Sequence, residues 1–483
     1  MSRILKPLLL FVLVTFVIWV AVLWQWEKTH RDMTVTDIVL YLGVLPVLVF
    51  GLLVALRWAW RSAGERASAA AQAAAAAAAS PAGAAATPAQ AQEAAARHTT
   101  VKVLATFVAS PTGRAASDIL DAAAEGTPRP DLDAELKDED GMPVMCARIA
   151  ELQTQDLDDQ IEPIVTATRS QQAAWADARM STHAVRALCA MQQPLQRSID
   201  ALRPWEDRFS AADSTSMVRV LVGWPADWTP FEQAVALAWV RLLMTEHAGP
   251  CIAASRFAFE AQPGTGEQLW IKADQLLQVL ARDKREDVLL VAACHSGISD
   301  AAVTELAKQR RLFSAATHPK GLMPGEAAAA LLLAPVQWPK SPDDDTPPVH
   351  LHRPAVAKRD KSIEAGGRIT ADCLRETLTQ ALAASQLDAS HVGSLVCDAD
   401  QHSARSTELF GTTLDMLAHL DPTEDMRLIG VGNGHTGVAS TLLVVAAAAE
   451  RARSVDKPTV ALTLGDAFMR LALLVRPQAP TVS

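Results

Sequence analysis

His435 is the residue whose type and surroundings most invite a chemical role. It lies in the stretch IGVGNGHTGVASTLLVVAAAA (429–449), between glycines and just before an apolar segment with helical spacing. An imidazole titrates near neutral pH and can act as a general base or donate a hydrogen bond to a substrate oxygen. In the alternative role, which we favour, the ring nitrogens only bond to the main chain and hold a turn ahead of a buried helix.

Other candidate residues lie in ordinary structural contexts. Cys294 and His295 follow an apolar strand, and since adjacent side chains rarely face each other we expect a core cysteine and a loop histidine. His350 and His352 share one strand face without further metal ligands, which predicts a solvated strand, and Asp343–Asp345 is predicted to be a solvated linker. A GxGxxG spacing alone is too weak a signal to predict a dinucleotide site at Gly432, Gly434 and Gly437. We therefore predict no metal site and no cofactor.

The composition of the chain excludes several classes of protein. It has 483 residues, enough for several domains, and a net charge of −10. A general nucleic-acid binder needs a surplus of Lys and Arg on one face, so no nucleic-acid partner is expected. The six cysteines contain no CxxC pair, which argues against a zinc ribbon or a redox dithiol and fits a reducing compartment.

Short apolar strands alternate with amphipathic helices from residue 99 onward. Strands are predicted at 101–109, 218–224, 287–293, 327–336 and 392–398, with a pair within 459–475. Helices are predicted at 115–126, 232–247, 268–283 and 371–386. This alternation predicts an α/β fold whose sheets are covered on both faces. The Pro- and Asp-rich segment 338–348 divides it into two halves, 99–337 and 349–483.

The N-terminal part predicts a membrane anchor. Two apolar runs, 7–24 and 38–60, are each close to the length that spans a bilayer, so residues 1–61 are predicted to form a transmembrane helical hairpin. Basic residues outside the hairpin loop favour both termini on the inner side. Residues 62–98 are Ala-rich without an apolar face, which predicts a tether between the anchor and the folded part.

Four segments resemble the beta-ketoacyl synthases of the thiolase-like superfamily. KGLMPGEAAAALLLAP (320–335) is similar to a stretch that reads roughly GFVPGEGAAALVLE there, and GNGHTGVAS is similar to NIGHTLGAAG. The segments from Val101 and from Ile369 resemble two helix-and-strand units of the family, and all four occur in the family's order. The resemblance implies a thiolase-like five-layered core of two similar halves, usually found as a dimer.

The same resemblance implies that most of the condensing site is missing. Thr265 or Gly266 stands where the nucleophilic Cys is expected, and Cys397 or Asp398 where the first His is expected. Gly430 occupies the position of the Lys. His435 matches the second His, Glu408 matches a family Glu, and only a gap could bring His402 to the first His position. Because such residues act as a unit, the resemblance implies a pseudoenzyme with vestigial site positions only.

The overall layout is similar to adaptors encoded beside lipase effectors of bacterial type VI secretion systems. That resemblance implies a non-catalytic protein at the bacterial inner membrane with its folded part in the cytoplasm. Its partners would be a lipase-type toxin effector and the secretion spike protein, and it could form a homodimer. The alternatives are an acyl-thioester enzyme that uses Cys397, His402 and His435, or an acyl-chain-binding protein that keeps the old tunnel.

Overall fold

The computed structural model describes residues 100–211, 214–341 and 347–477. These residues belong to one compact unit, Pro88–Ser483. The predicted hairpin (1–61), the tether (62–98) and Asp343–Asp345 lie outside the described residues, and the hairpin and tether stay predictions. Within the described ranges, no helix is both long and apolar enough to cross a membrane.

The part of the chain before the 338–348 segment contains seven strands and seven helices among its described residues. The strands are β1 Val101–Ala109, β2 Asp131–Lys137, β3 Pro143–Cys146, β4 Val218–Gly223, β5 Phe257–Ala261, β6 Val288–Ser296 and β7 Glu326–Pro335. The helices are α1 Ala116–Glu125, α2 Thr154–Arg169, α3 Thr182–Asp200, α4 Glu206–Ser210, α5 Pro230–Ala248, α6 Gly266–Arg282 and α7 Asp300–Lys308.

The part after that segment contains six strands and four helices among its described residues. The strands are β8 Val349–Leu351, β9 Ala355–Lys358, β10 Ser394–Cys397, β11 Met426–Leu428, β12 Thr459–Thr463 and β13 Met469–Pro477. The helices are α8 Asp372–Ser385, α9 Ser403–Met416, α10 Gly430–Asn433 and α11 Ala439–Val455.

The strand order of the first part is repeated in the second. The first part has the order β5-β4-β6-β7-β1, and the second has β11-β10-β12-β13 followed by β8, with β9 also on β13. The relative strand directions also match: β4 and β10 are each parallel to both neighbouring strands, whereas the pairs β6–β7 and β12–β13 are antiparallel. Strand β8 pairs with both β1 and β13, so the two sheets form one continuous hydrogen-bonded path.

Alternating strand residues build three apolar cores around this path. Helices α2, α3 and α5 cover the outer face of the first sheet, and α8 and α9 cover that of the second. Between the sheets lies α11, which packs against strands of both, with α1 and α6 beside it. The layers are therefore helix, sheet, helix, sheet, helix. Helix α11 is apolar around most of its circumference, as a helix enclosed between two sheets must be.

Most predicted elements occur within a few residues of their predicted bounds. Helix α1 ends at Gly126, which has the left-handed conformation (φ 69°) that favours glycine at a helix C-terminus. The segment 131–210 was not predicted to contain any element, yet it holds β2, β3 and α2 to α4. Strands β2 and β3 form a separate hairpin that packs on α7.

Candidate functional site

A cavity of about 640 Å³ is lined by loops from both parts of the fold. The start of α6, the end of β6, the loop after β10, the His435 segment and the loop 465–468 contribute residues to it. Of the predicted site positions, Thr265, Gly266, Asp398 and His435 line this cavity. Cys397 and Gly430 lie behind the lining. Four of the six positions that the motif order singled out thus lie at one cavity.

At the position expected for the nucleophile, the side chain present caps a helix. Thr265 is the N-cap of α6: its hydroxyl accepts the Gln268 N–H at 3.3 Å, and the Gln268 side chain accepts the Thr265 N–H at 3.1 Å. In this reciprocal capping box, the Thr265 hydroxyl stabilises the start of α6. The next residue, Gly266, has no room for a side chain, since a Cβ there would lie 2.7 Å from Thr441 Cβ and 2.8 Å from the Val438 carbonyl oxygen.

The two candidates for the first histidine position have opposite surroundings. Cys397 ends β10 with its side chain in the apolar core of the second sheet, where burial raises the pKa of its thiol. Asp398, the next residue, turns to the cavity and accepts the N–H groups of Leu464 (2.6 Å) and Gly465 (3.1 Å) and the Ser440 hydroxyl (2.6 Å). Burial raises the pKa of Asp398, while the Ser440 hydrogen bond opposes that shift. Asp398 therefore ties three chain segments together at this position.

Gly430 stands where the resemblance places a Lys, and the backbone leaves no space for one. A Cβ on Gly430 would lie 2.7 Å from the Asp398 carbonyl carbon and 2.8 Å from the Ala399 carbonyl oxygen. Because those atoms belong to the main chain, they cannot turn away as a side chain could.

His435 is anchored by its main chain rather than by its ring. Its N–H donates to the Met323 carbonyl at 2.8 Å, and its carbonyl accepts the Gly325 N–H at 3.2 Å. The predicted bonds from the ring nitrogens to the main chain do not occur among the described residues. Instead the ring meets His295 edge to face, with centroids 5.5 Å apart. Burial lowers the pKa of His435 well below its usual value, and the nearby His295 lowers it further.

His295 and Glu267 are cavity residues that the sequence did not identify as such. His295 is the penultimate residue of β6, not of a loop, and Cys294 beside it faces the opposite, apolar core as expected. Burial and the nearby His183 lower the pKa of His295 to about 4. Glu267 is almost fully buried and accepts the Thr463 hydroxyl at 2.7 Å. Burial raises the pKa of Glu267 to about 7 despite that bond. Both shifts favour uncharged groups in the cavity wall.

The remaining candidates have structural roles. His402 lies outside the cavity and caps α9, with its Nδ1 accepting the Ala404 N–H at 3.1 Å. Glu408 is buried and paired with Arg470 (2.8 Å) and Arg359. The structure therefore does not bring Cys397, His402 and His435 into one site. Within the described ranges, no group of three or more His, Cys, Asp or Glu residues is arranged to hold a metal ion.

The surroundings of His350 differ from the prediction, and His352 lies one residue beyond the end of its strand, β8. Instead of being solvated on a sheet surface, His350 is in β8 between β1 and β13, where its register partners are Lys102 and Arg476. Burial, followed by the nearby Lys102 and Arg476 charges, lowers the pKa of His350. The N–H of His352 donates to the Leu474 carbonyl at 2.9 Å. The three residues of β8 pair with β1 on one side and with β13 on the other, and a sequence pattern does not reveal such pairing.

Two repeated α/β halves that enclose one helix layer and share one cavity define a thiolase-like fold. Solved structures with this fold include an oxazolomycin ketosynthase domain of Streptomyces albus JA3453, at TM-score 0.52 and 12% identity over 80% of this chain and 76% of that one. A ketosynthase from module 6 of the bacillaene synthase of Bacillus subtilis 168 matches at TM-score 0.51 and 11% identity, over 79% and 72%. A ketosynthase solved in complex with its chain length factor from Xenorhabdus doucetiae matches at TM-score 0.51 and 11% identity, over 79% and 98%.

Identities this low show a shared fold and nothing finer. No protein-family model and no curated protein matches the sequence. The described part of the chain is thus a mixed α/β protein with the thiolase-like fold of ketosynthases, which the motif resemblance had predicted.

Proposed function

We propose that this chain is a thiolase-like protein that does not catalyse condensation and instead serves as a membrane-anchored adaptor. It would bind a lipase-type effector of a type VI secretion system and bring that effector to the secretion spike. The anchor would be the predicted hairpin 1–61 in a bacterial inner membrane, with the folded part in the cytoplasm.

The closed space at Gly266 is the observation that carries the first half of this proposal. Covalent acyl transfer needs a nucleophile that can reach the cavity, and neither candidate position supplies one. Gly266 has no side chain and no room for one, and the Thr265 hydroxyl caps α6. Burial lowers the pKa of both cavity histidines, His295 and His435, which favours neutral rings, but without a protein nucleophile neither ring can assist formation of the acyl-enzyme that condensation requires.

The adaptor role rests on the layout of the chain and on what the fold can offer. A large rigid scaffold of two packed sheets presents a stable surface for partner proteins, and the similar ketosynthase of Xenorhabdus doucetiae was solved in a complex with its chain length factor. A membrane anchor followed by a tether of more than 30 residues raises the effective concentration of a bound effector near a membrane-embedded machine.

The cavity gives no support to the acyl-chain-binding alternative. An acyl chain offers no hydrogen bonds to polar groups that it would cut off from water. Here five acidic side chains contribute to the wall: Glu267, Glu364, Asp398, Asp400 and Asp466. We therefore do not propose acyl-chain binding.

Two experiments test the two halves separately. Full-length protein incubated with labelled acyl and malonyl thioesters should form neither a condensation product nor a covalent adduct by intact mass. An adduct that disappears in His435→Ala would overturn the non-condensing half. For the adaptor half, tagged full-length protein should retain a co-expressed lipase effector and spike protein from solubilised membranes, with the tag alone as control. Failure to retain either protein would contradict that role and leave the first half standing.

A further inference from the structure

A second, smaller cavity of about 310 Å³ lies beside the candidate site and has the opposite electrostatic character. The loop between α7 and β7 forms most of it, and the start of α9 closes one side. Arg310, Arg311 and Lys320 line it, together with His318 and His402. Its one carboxylate is Glu364, which Arg311 already pairs at 3.3 Å.

Most of the positive charge of this loop is not compensated. Residues 309–325 carry three Lys and Arg residues and no acid, in a chain whose net charge is −10. Among the described residues, neither Arg310 nor Lys320 has a salt bridge or a side-chain hydrogen bond, and both are exposed. Two cations without ion-pair partners therefore line a concave space whose one carboxylate is paired with Arg311, and an anion would be attracted there.

The buried ring of His402 adds an independent sign of a ligand. Only 3% of this residue is exposed. Its Nδ1 accepts the Ala404 N–H, so the proton of the neutral ring must be on Nε2, which makes Nε2–H a donor. Burial and the neighbouring Arg405 lower the pKa of His402, which keeps the ring neutral. No acceptor for Nε2–H is found within the described ranges, and His402 lines the pocket. Nε2 is accessible from the pocket, so Nε2–H is free to donate to an anion bound there.

We propose that this pocket binds a phosphate group, with Nε2–H of His402, Arg310 and Lys320 as its donors. Phosphate fits better than carboxylate because its oxygens point in several directions, whereas those of a carboxylate lie in one plane, and the donors come from two separate chain segments. The binding site is distinct from the candidate site, sharing only Arg311 and Glu364 with it, and does not depend on the adaptor role.

The test is titration of full-length protein with inorganic phosphate at constant ionic strength, with chloride as the compensating ion. Calorimetry should show saturable binding, and phosphate should raise the melting temperature. Two variants should weaken binding about tenfold or more, the loss expected when one charge-assisted donor is removed. Lys320→Gln removes an exposed cation without disturbing the core. His402→Ser removes the Nε2–H donor, adds no charge and keeps the α9 cap, since Ser is a good N-cap residue.

Lys308→Gln is the matched control, because Lys308 is exposed, ends α7 and does not line the pocket. It should bind phosphate as the unaltered protein does. Equal losses in Lys308→Gln and Lys320→Gln, or no saturable binding, would overturn the proposal, as would stronger binding of acetate than of phosphate. Glycerol 3-phosphate and vesicles containing phosphatidic acid then separate a soluble phosphate ester from a lipid headgroup as the source.

Discussion

Replacing Gly266 by Ala tests whether the candidate nucleophile position is sterically closed. The added Cβ would lie 2.7 Å from Thr441 Cβ and 2.8 Å from the Val438 carbonyl oxygen, well inside van der Waals contact. Overpacking of this kind costs about 1–3 kcal/mol, whereas Ala in place of Gly in an unobstructed helix would gain up to about 1 kcal/mol. The steric clash opposes the gain in helix propensity. We expect the clash to dominate, because the Val438 carbonyl oxygen belongs to the main chain and cannot move aside as a side chain could.

The assay is thermal and urea unfolding of the full-length protein. Gly266→Ala should unfold at a temperature several degrees lower and at lower urea, with an unchanged urea slope. Gly366→Ala is the matched control: a Cβ there meets nothing within 4 Å, so its stability should be unchanged or slightly higher. If Gly266→Ala is as stable as the unaltered protein, the α6 terminus has room for a side chain, and the steric argument against a nucleophile at this position is refuted.

Three further substitutions probe the packing around the cavity. Glu326→Gln should destabilise the fold by about 3–5 kcal/mol in urea unfolding, because Arg186 would lose its buried bidentate partner. Glu267 binds its proton more tightly in the folded than in the unfolded state, so its contribution to stability falls as pH rises from 4.5 to about 7. Glu267→Gln should therefore lose less stability than the unaltered protein over that pH range, measured by melting temperature against pH. Gly325→Ala should lower the melting temperature, because its Cβ would collide with the Asn433 carbonyl oxygen.

The sequence predicted best those elements whose pattern reflects burial. Strand β7 and helix α11 are nearly continuous apolar runs because each is enclosed, and both were found from their composition. The hairpin of β2 and β3 was missed because its pattern is mostly polar: one face packs on α7 and the other is solvated. Its strand DLDAELK carries four charges in seven residues, which locally resembles a loop.

The sequence indicated which positions could belong to one site, but not which contacts their side chains make. The motif order indicated Thr265, Asp398 and His435, which all line one cavity. It could not distinguish Cys397 from Asp398, because only the orientation of β10 determines which of these two neighbouring side chains faces the core. Glu267 was missed for a different reason. An acid in the first turn of a helix is ordinary, and its burial depends on Thr463, almost 200 residues away.

The two motifs that predicted the fold are structural partners, whatever the cavity does. Gly325 of the PGEAAA motif and His435 of the GNGH motif share a main-chain hydrogen bond, and Met323 accepts the His435 N–H. Glu326 then holds the end of β6 through Ser296 (2.9 Å) and α3 through a bidentate ion pair with Arg186. A side chain at Gly325 would disturb packing between the two halves, and a neutral residue at Glu326 would disturb packing within the first half, whether or not the cavity binds a substrate. These residues are thus needed for the fold itself, whereas a nucleophile at Gly266 is needed only for a reaction.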